Sequence, residues 1–173
     1  MGKDNFAKDE TMREHSSFKT GGNAEFYATP ENNQQLISII KIAKENNIPY
    51  IVLGNGSNIL VSDKGIKGLV IGLSKHFSNV DVNNDEIVAG AGALLSKVAL
   101  SAMDNSLAGF EFASGIPGSF GGAVFMNAGA YGGEIKQVLT EVTVLNKDME
   151  VINMPASELK LGYRTSCVEE MGY

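Results

Sequence analysis

Gly115-Ile-Pro-Gly-Ser-Phe-Gly-Gly-Ala-Val-Phe-Met-Asn-Ala-Gly-Ala-Tyr-Gly-Gly133 is the stretch on which the reading of this chain turns. Glycine recurs through it while apolar residues hold both flanks. Without a Cβ, glycine reaches φ > 0 and lets backbone amides approach a phosphate or a ring that a side chain would hold off, at an entropic cost. The segment therefore reads as a loop that brings bare backbone against a bound ligand.

Working outward, a second glycine loop lies at Gly54-Asn-Gly-Ser-Asn58. It lacks the third glycine of a dinucleotide fingerprint, since Ile59 stands in that place, and it opens no helix, which that fingerprint requires. Taken alone it reads either as a hairpin turn or as a nest of amides that holds a phosphate together with the Ser57 hydroxyl. Residues 115–122 lack the Lys-Ser/Thr pair of a nucleotide-hydrolysing loop. Two glycine loops without those parts suit one large, extended cofactor.

The remaining segments predict a mixed α+β chain. Residues 24–28 alternate as a strand, and Thr29-Pro30-Glu31 reads as N-cap, first-turn proline and early acid of a helix. Leu36, Ile39, Ile40 and Ala43 carry that helix until Asn46, Asn47 and Pro49 stop it. Tyr50 to Leu53 reads as a buried strand, resumed at Ile59 to Val61, and Leu69 to Ile71 as another. A hairpin through Asn83-Asn84-Asp85, a helix from Leu94 to Met103, and strands at 138–145 and 150–153 around Asn146-Lys-Asp148 complete the pattern. The composition shift near Gly72 to Asn79 divides the chain into lobes 1–72 and 73–173.

With 173 residues, 43% of them hydrophobic, the chain can bury a core of ordinary size. A formal charge of -6 and no dense Lys/Arg cluster argue against nucleic acid and anionic membranes. No apolar run reaches the roughly 18 residues of a membrane span, and the polar start has no signal-peptide core. The single cysteine, Cys167, excludes an internal disulfide. Together these features predict a cytoplasmic protein with no metal site, because His15, His76 and Cys167 lack ligand spacing.

Leu53-Gly-Asn-Gly-Ser-Asn-Ile-Leu-Val61, residues 115–132 and Gly162-Tyr-Arg-Thr-Ser166 together resemble the UDP-N-acetylenolpyruvoylglucosamine reductase (MurB) family, and His15-Ser-Ser-Phe-Lys-Thr-Gly-Gly22 resembles the segment that opens its flavin-binding region. The resemblance implies a two-lobed FAD-binding fold of the vanillyl-alcohol-oxidase/PCMH type, with FAD between the lobes and a separate substrate domain beyond them. It also implies the family reaction of peptidoglycan synthesis. NADPH reduces non-covalent FAD, which then delivers hydride to UDP-N-acetylenolpyruvoylglucosamine to give UDP-N-acetylmuramate.

Carried over by position, Gly54, Asn55, Gly56, Ser57 and Asn58 would hold the FAD pyrophosphate. Gly115, Ile116, Pro117, Gly118, Ser119, Gly121, Gly122 and Ala123 would line the pyrophosphate and flavin. Asn127, Tyr131 and Tyr163 would lie near the flavin ring or substrate, with loop support as the competing role for Asn127 and Tyr131. Arg164 matches the family's active-site arginine, which neutralises charge on the substrate carboxylate or enol.

The family's proton-donor serine and its glutamate lie beyond the equivalent of Tyr173. Ser166 belongs to the arginine motif, and Glu169 and Glu170 read as solvated charges. The segment 162–173 shows no finished terminal element, which predicts a chain cut before its substrate domain. Cys167 reads as an inert thiol, and Phe110, Phe112, Phe120 and Phe125 as core. Two other readings stay open: a non-catalytic FAD-binding fragment, and an FAD-dependent alcohol or sugar oxidase of the same superfamily. An unmated flavin cleft would expose apolar surface and favour self-association or loss of FAD.

Overall fold

The computed structural model describes residues 5–73 and 75–172. The chain forms two compact units. The first comprises residues 1–79 with 90–93, and the second residues 80–89 with 94–173.

In the first unit a four-stranded sheet has the order β1-β2-β4-β3, built from β1 (Phe6–Thr11), β2 (Asn23–Ala28), β3 (Tyr50–Leu53) and β4 (Ile66–Gly72). β1 runs antiparallel to β2, whereas β2 and β3 both run parallel to β4. Strand β1 falls in the stretch the sequence reading passed over as a polar start. It is an edge strand, so solvent-facing charges are tolerated there and no apolar alternation marks it.

Helix α1 spans Asn33–Glu45, three residues later than the proline signal suggests. Asn32, not Thr29, is the N-cap: its side chain accepts the Gln35 N–H, and Gln35 Oε1 accepts the Glu31 N–H. This pair of side-chain bonds overrides Thr29-Pro30 as a start signal. At the other end Asn47 takes φ 53° while Asn47 N–H and Ile48 N–H donate to Lys44 O and Ala43 O. That is a Schellman stop with asparagine in the left-handed position.

Two expectations for the 50–61 region are corrected. β3 is an edge strand, with Val52 51% exposed, rather than a buried one. Ile59–Val61 forms no strand and no hairpin. Parallel strands cannot be joined by a tight turn, so residues 54–65 must run back along the sheet before β4 begins. On the way Val61 enters the core of Met12, Ala24, Tyr27, Leu53 and Val70, with Ile59 packed against it.

The second unit opens with the hairpin β5 (Val80–Asn83) and β6 (Glu86–Ala89), whose turn places Asn84 at φ 56°. α2 (Leu95–Asp104) buries Leu95, Val98 and Ala102 and packs against that hairpin. The glycine-rich stretch is not loop throughout: Phe120–Phe125 forms α3. Two glycines inside a helix oppose it by about 1 kcal/mol each, which is why propensity reads it as loop. Burial of Ala123 and Val124 offsets that cost. Next come the hairpin β7 (Gly129–Ala130) and β8 (Gly133–Glu134), then the hairpin β9 (Glu141–Leu145) and β10 (Val151–Pro155), and the short α4 (Val168–Met171). β9 begins at Glu141 rather than Val138, because Ile135–Gln137 forms a 3-10 turn closed by a Glu134/Gln137 capping box. Among the described residues no helix is long and apolar enough to cross a membrane.

Candidate cofactor-binding site

In the first unit, the loop at 54–58 follows β3 directly. Gly56 sits at φ 65°, and a Cβ there would strike the His15 carbonyl, so only glycine fits. Its carbonyl accepts the Ser17 N–H at 2.9 Å, which ties the loop to the 15–17 segment. His15 is itself anchored: its ring stacks on Tyr27 at 4.1 Å, and Nε2 lies 2.8 Å from Glu10 Oε1. Glu10 and burial together push the Tyr27 hydroxyl above its ordinary pKa, burial being the larger cause. Among the described residues the amides of Asn55, Gly56, Ser57 and Asn58 donate to no group of the chain, and Gly56 is buried. Successive free amides make an anion-binding concavity. Beside them Ser16 carries a buried Oγ with no partner among the described residues.

In the second unit, residues 115–119 are held against α2. Gly118 O accepts the Leu95 N–H at 3.0 Å, and Ser119 bridges Leu94. This satisfies the first amide of α2 and fixes the path of the loop into α3. The amides of Phe120, Gly121 and Gly122 have no intrahelical acceptor by helix geometry, whereas Ala123 N–H is already bonded to Ser119 O at 2.9 Å and Ile116 N–H to Ala113 O at 3.1 Å. Ser119 is buried and caps nothing with its hydroxyl.

Gly115 tests the fit to a cofactor. It does not lie at positive φ, and a Cβ built on it meets no atom within 4 Å. Neither backbone conformation nor internal packing asks for glycine there. Gly115 is itself exposed, so the space above it is open to a ligand. At Gly122 a Cβ would meet only the Ser119 Oγ, at 3.4 Å. Open glycine faces and unbonded amides form a donor set suited to the phosphates and ring of a dinucleotide.

The residues expected near the flavin ring or substrate, Asn127, Tyr131, Tyr163 and Arg164, are also in the second unit. Asn127 follows α3 in its left-handed C-terminal position, φ 43°, with the backbone bonds of a Schellman stop. Its side chain is 3% exposed. Nδ2 donates to Glu134 Oε2 at 2.8 Å and to Gly162 O at 2.9 Å, and Oδ1 accepts the Lys136 N–H at 3.0 Å. Those partners settle the amide's orientation, because a carboxylate and a carbonyl only accept while an N–H only donates.

Tyr131 and Gly132 form the two-residue turn between β7 and β8 at φ 52° and 85°, and Tyr131 is 98% exposed. With Gly109, Glu111, Phe112, Gly133 and Gln137 they line an open depression of about 500 Å³. Tyr163 and Arg164 form a second turn, closed by Gly162 N–H to Thr165 O at 3.1 Å, with Arg164 at φ 54°. Tyr163 is 88% exposed, and the Arg164 guanidinium carbon lies 5.9 Å from its ring centroid.

Glu134 escaped the sequence reading. Its Oε2 receives both Asn127 Nδ2 and Lys136 Nζ, each at 2.8 Å. Hydrogen bonds from Lys136 and Asn127, then the charges of Lys136 and Arg164, hold its carboxyl below the usual range. The Glu-x-x-Gln spacing of 134 and 137 was the signal that could have found it. Among the remaining candidates, Ser166 is buried with Oγ donating to Phe125 O at 2.7 Å. Cys167 is a buried free thiol. Phe110 packs with Phe112 and Phe120, while Phe125 is partly exposed. Glu170 is exposed, and the Glu169 side chain lies outside the described residues.

Comparison with known proteins gives the family. The family model described as FAD binding domain matches residues 24–154. The UDP-N-acetylenolpyruvoylglucosamine reductase of Clostridium tetani is 50% identical over 173 residues, 100% of this chain and 56% of that protein. The chain thus spans about half the length of the curated relatives it matches. Among solved structures, the UDP-N-acetylenolpyruvylglucosamine reductase (MurB) of Thermus caldophilus superposes with a TM-score of 0.76 at 36% identity, over 90% of this chain and 55% of that one. A Physcomitrella patens BBE-like 1 variant superposes with a TM-score of 0.64 at 16% identity, over 88% of this chain and 36% of its own, and shares the fold alone. Two glycine loops with free amides, an open Gly115 and a family match across most of the length lead to one assignment: the chain belongs to the FAD binding domain family.

Proposed function

We propose that this chain is the flavin-binding portion of an enzyme that reduces UDP-N-acetylenolpyruvoylglucosamine to UDP-N-acetylmuramate with NADPH. The reaction would serve cytoplasmic peptidoglycan synthesis and, through it, cell shape and division. The observation that carries this reading is 50% identity across all 173 residues with a protein named for that reduction. Residues 1–72 and 73–173 are the two proposed FAD-binding lobes.

FAD, when bound, supplies hydride transfer. The chain's own residues bind and orient. Asn55 to Asn58 offer amides to the pyrophosphate beside Gly54, with the Ser57 hydroxyl as a further donor. Residues 115–123 offer an open backbone face, kept in shape by Pro117. The Arg164 guanidinium, always charged and forked, suits the enolpyruvyl carboxylate of the substrate. Tyr131 and Tyr163 present exposed rings to flavin or substrate. Exposed Phe18 and Leu60 support self-association of the chain by itself.

The test is to load the chain with FAD, add NADPH without oxygen, and then add the UDP sugar, following the visible flavin absorption. Bleaching by NADPH and recovery on adding the sugar support the reading. Flavin that is held but never bleached leaves a non-catalytic FAD-binding fragment.

A further inference from the structure

The turn that carries Arg164 is fastened to the end of α3 from both sides, by two buried side chains. On one side Asn127 Nδ2 donates to Gly162 O at 2.9 Å, and on the other Ser166 Oγ donates to Phe125 O at 2.7 Å. Asn127 and Ser166 are 3% and 7% exposed. Phe125 is the last residue of α3, so its carbonyl is one that the helix leaves without a partner. The Ser166 hydroxyl supplies that partner and also accepts the Val168 N–H at 3.4 Å. Between the two struts Arg164 holds φ 54°, a conformation that costs a non-glycine residue about 1–2 kcal/mol. Such strain persists where the surroundings over-determine it. The same Asn127 amide reaches Glu134 Oε2 at the end of the Tyr131 hairpin and accepts Lys136 N–H.

We infer that Asn127 and Ser166 are positioning residues, which fix the Arg164 turn to α3 and to the Tyr131 hairpin so that the guanidinium meets the substrate carboxylate in one orientation. This rests on the reading of Arg164 as the substrate-facing residue. It moves Asn127 from the substrate contacts to the frame behind them, because both hydrogens of its amide are already committed within the chain.

The test uses Ser166→Ala, Ser166→Thr and Asn127→Asp in the 173-residue chain. A carboxyl at 127 can donate to Gly162 O only when protonated. It would face the Glu134 carboxylate, with Lys136 and Arg164 as the nearby cations, and burial beside Glu134 raises its pKa. A protonated carboxyl has one O–H where the amide has two N–H groups, so below that raised pKa the bond to Gly162 O is kept only at the expense of the one to Glu134, and it is lost as pH rises through the pKa. Amide hydrogen exchange at Gly162 reads the turn without any ligand. Expected are a loss of protection of at least about tenfold in Ser166→Ala, and in Asn127→Asp at high pH only, with α2 amides unchanged and protection kept in Ser166→Thr.

A second arm measures the affinity of the FAD-loaded chain for UDP-N-acetylenolpyruvoylglucosamine by its perturbation of the flavin spectrum. It should fall at least about tenfold in the same variants while FAD affinity is kept. Unchanged Gly162 protection, protection lost equally in α2, or unchanged sugar affinity beside a loosened turn would each overturn the inference. A wild-type chain that binds FAD but no sugar would be a flavin-binding portion that does not hold the sugar by itself, and the exchange result alone would then decide the struts.

Discussion

Gly56 and Gly115 are the same residue type in two different settings, and the structure separates them. At Gly56 a Cβ meets the His15 carbonyl and φ is positive, whereas at Gly115 it meets nothing. Gly56→Ala should cost more than about 1 kcal/mol in denaturant unfolding. Gly115→Ala should change stability by less than about 0.5 kcal/mol, since nothing within the chain uses the space above it. Glu134 makes a second prediction at this scale. Its folded pKa lies below the unfolded value of about 4.3. The carboxylate therefore contributes stability above about pH 4.3, and the contribution is lost as pH falls through the folded pKa. NMR titration of the carboxyl carbon should find it below that reference, and Asn127→Ala should move it upward, because one of the two leading donors is gone.

At the scale of elements, the β7–β8 turn carries Tyr-Gly where a two-residue hairpin with φ > 0 favours Asn-Gly. Tyr131→Asn should raise the unfolding midpoint, by up to about 1 kcal/mol in stability, and weaken whatever ligand the exposed ring contacts. A fall in stability on thermal unfolding would mean that the tyrosine earns its place by packing. Elements were legible in the sequence where a local signal dominated: β2, the Asn84 hairpin, α2 and the Asn146 turn lie where periodicity and turn chemistry put them. The departures have tertiary causes. β1 is polar because it is an edge strand, α1 starts late because the Asn32 side chain caps the Gln35 N–H while the Gln35 side chain accepts the Glu31 N–H, and α3 forms through two glycines because its apolar face is buried. Residues 54–58 and 115–119 were legible as loop, whereas 120–125 was not, since it forms α3. The commitment of Asn127 to Glu134 and Gly162 was not, since a bond across 35 residues leaves no periodic trace.

For the whole molecule, composition and charge narrowed the partners, the motifs pointed to a flavoprotein reductase family, and the match over residues 24–154 showed the FAD binding domain family. What the chain contributes as a molecule is two donor surfaces: the free amides of 55–58 in the first unit and the open, glycine-lined face of 115–122 in the second. Both are proposed to serve one FAD. The central claim is tested most directly by titrating FAD into the purified 173-residue chain by calorimetry. The account predicts saturable binding of one FAD per chain. A folded chain, cooperative in unfolding, that takes up no FAD would contradict it.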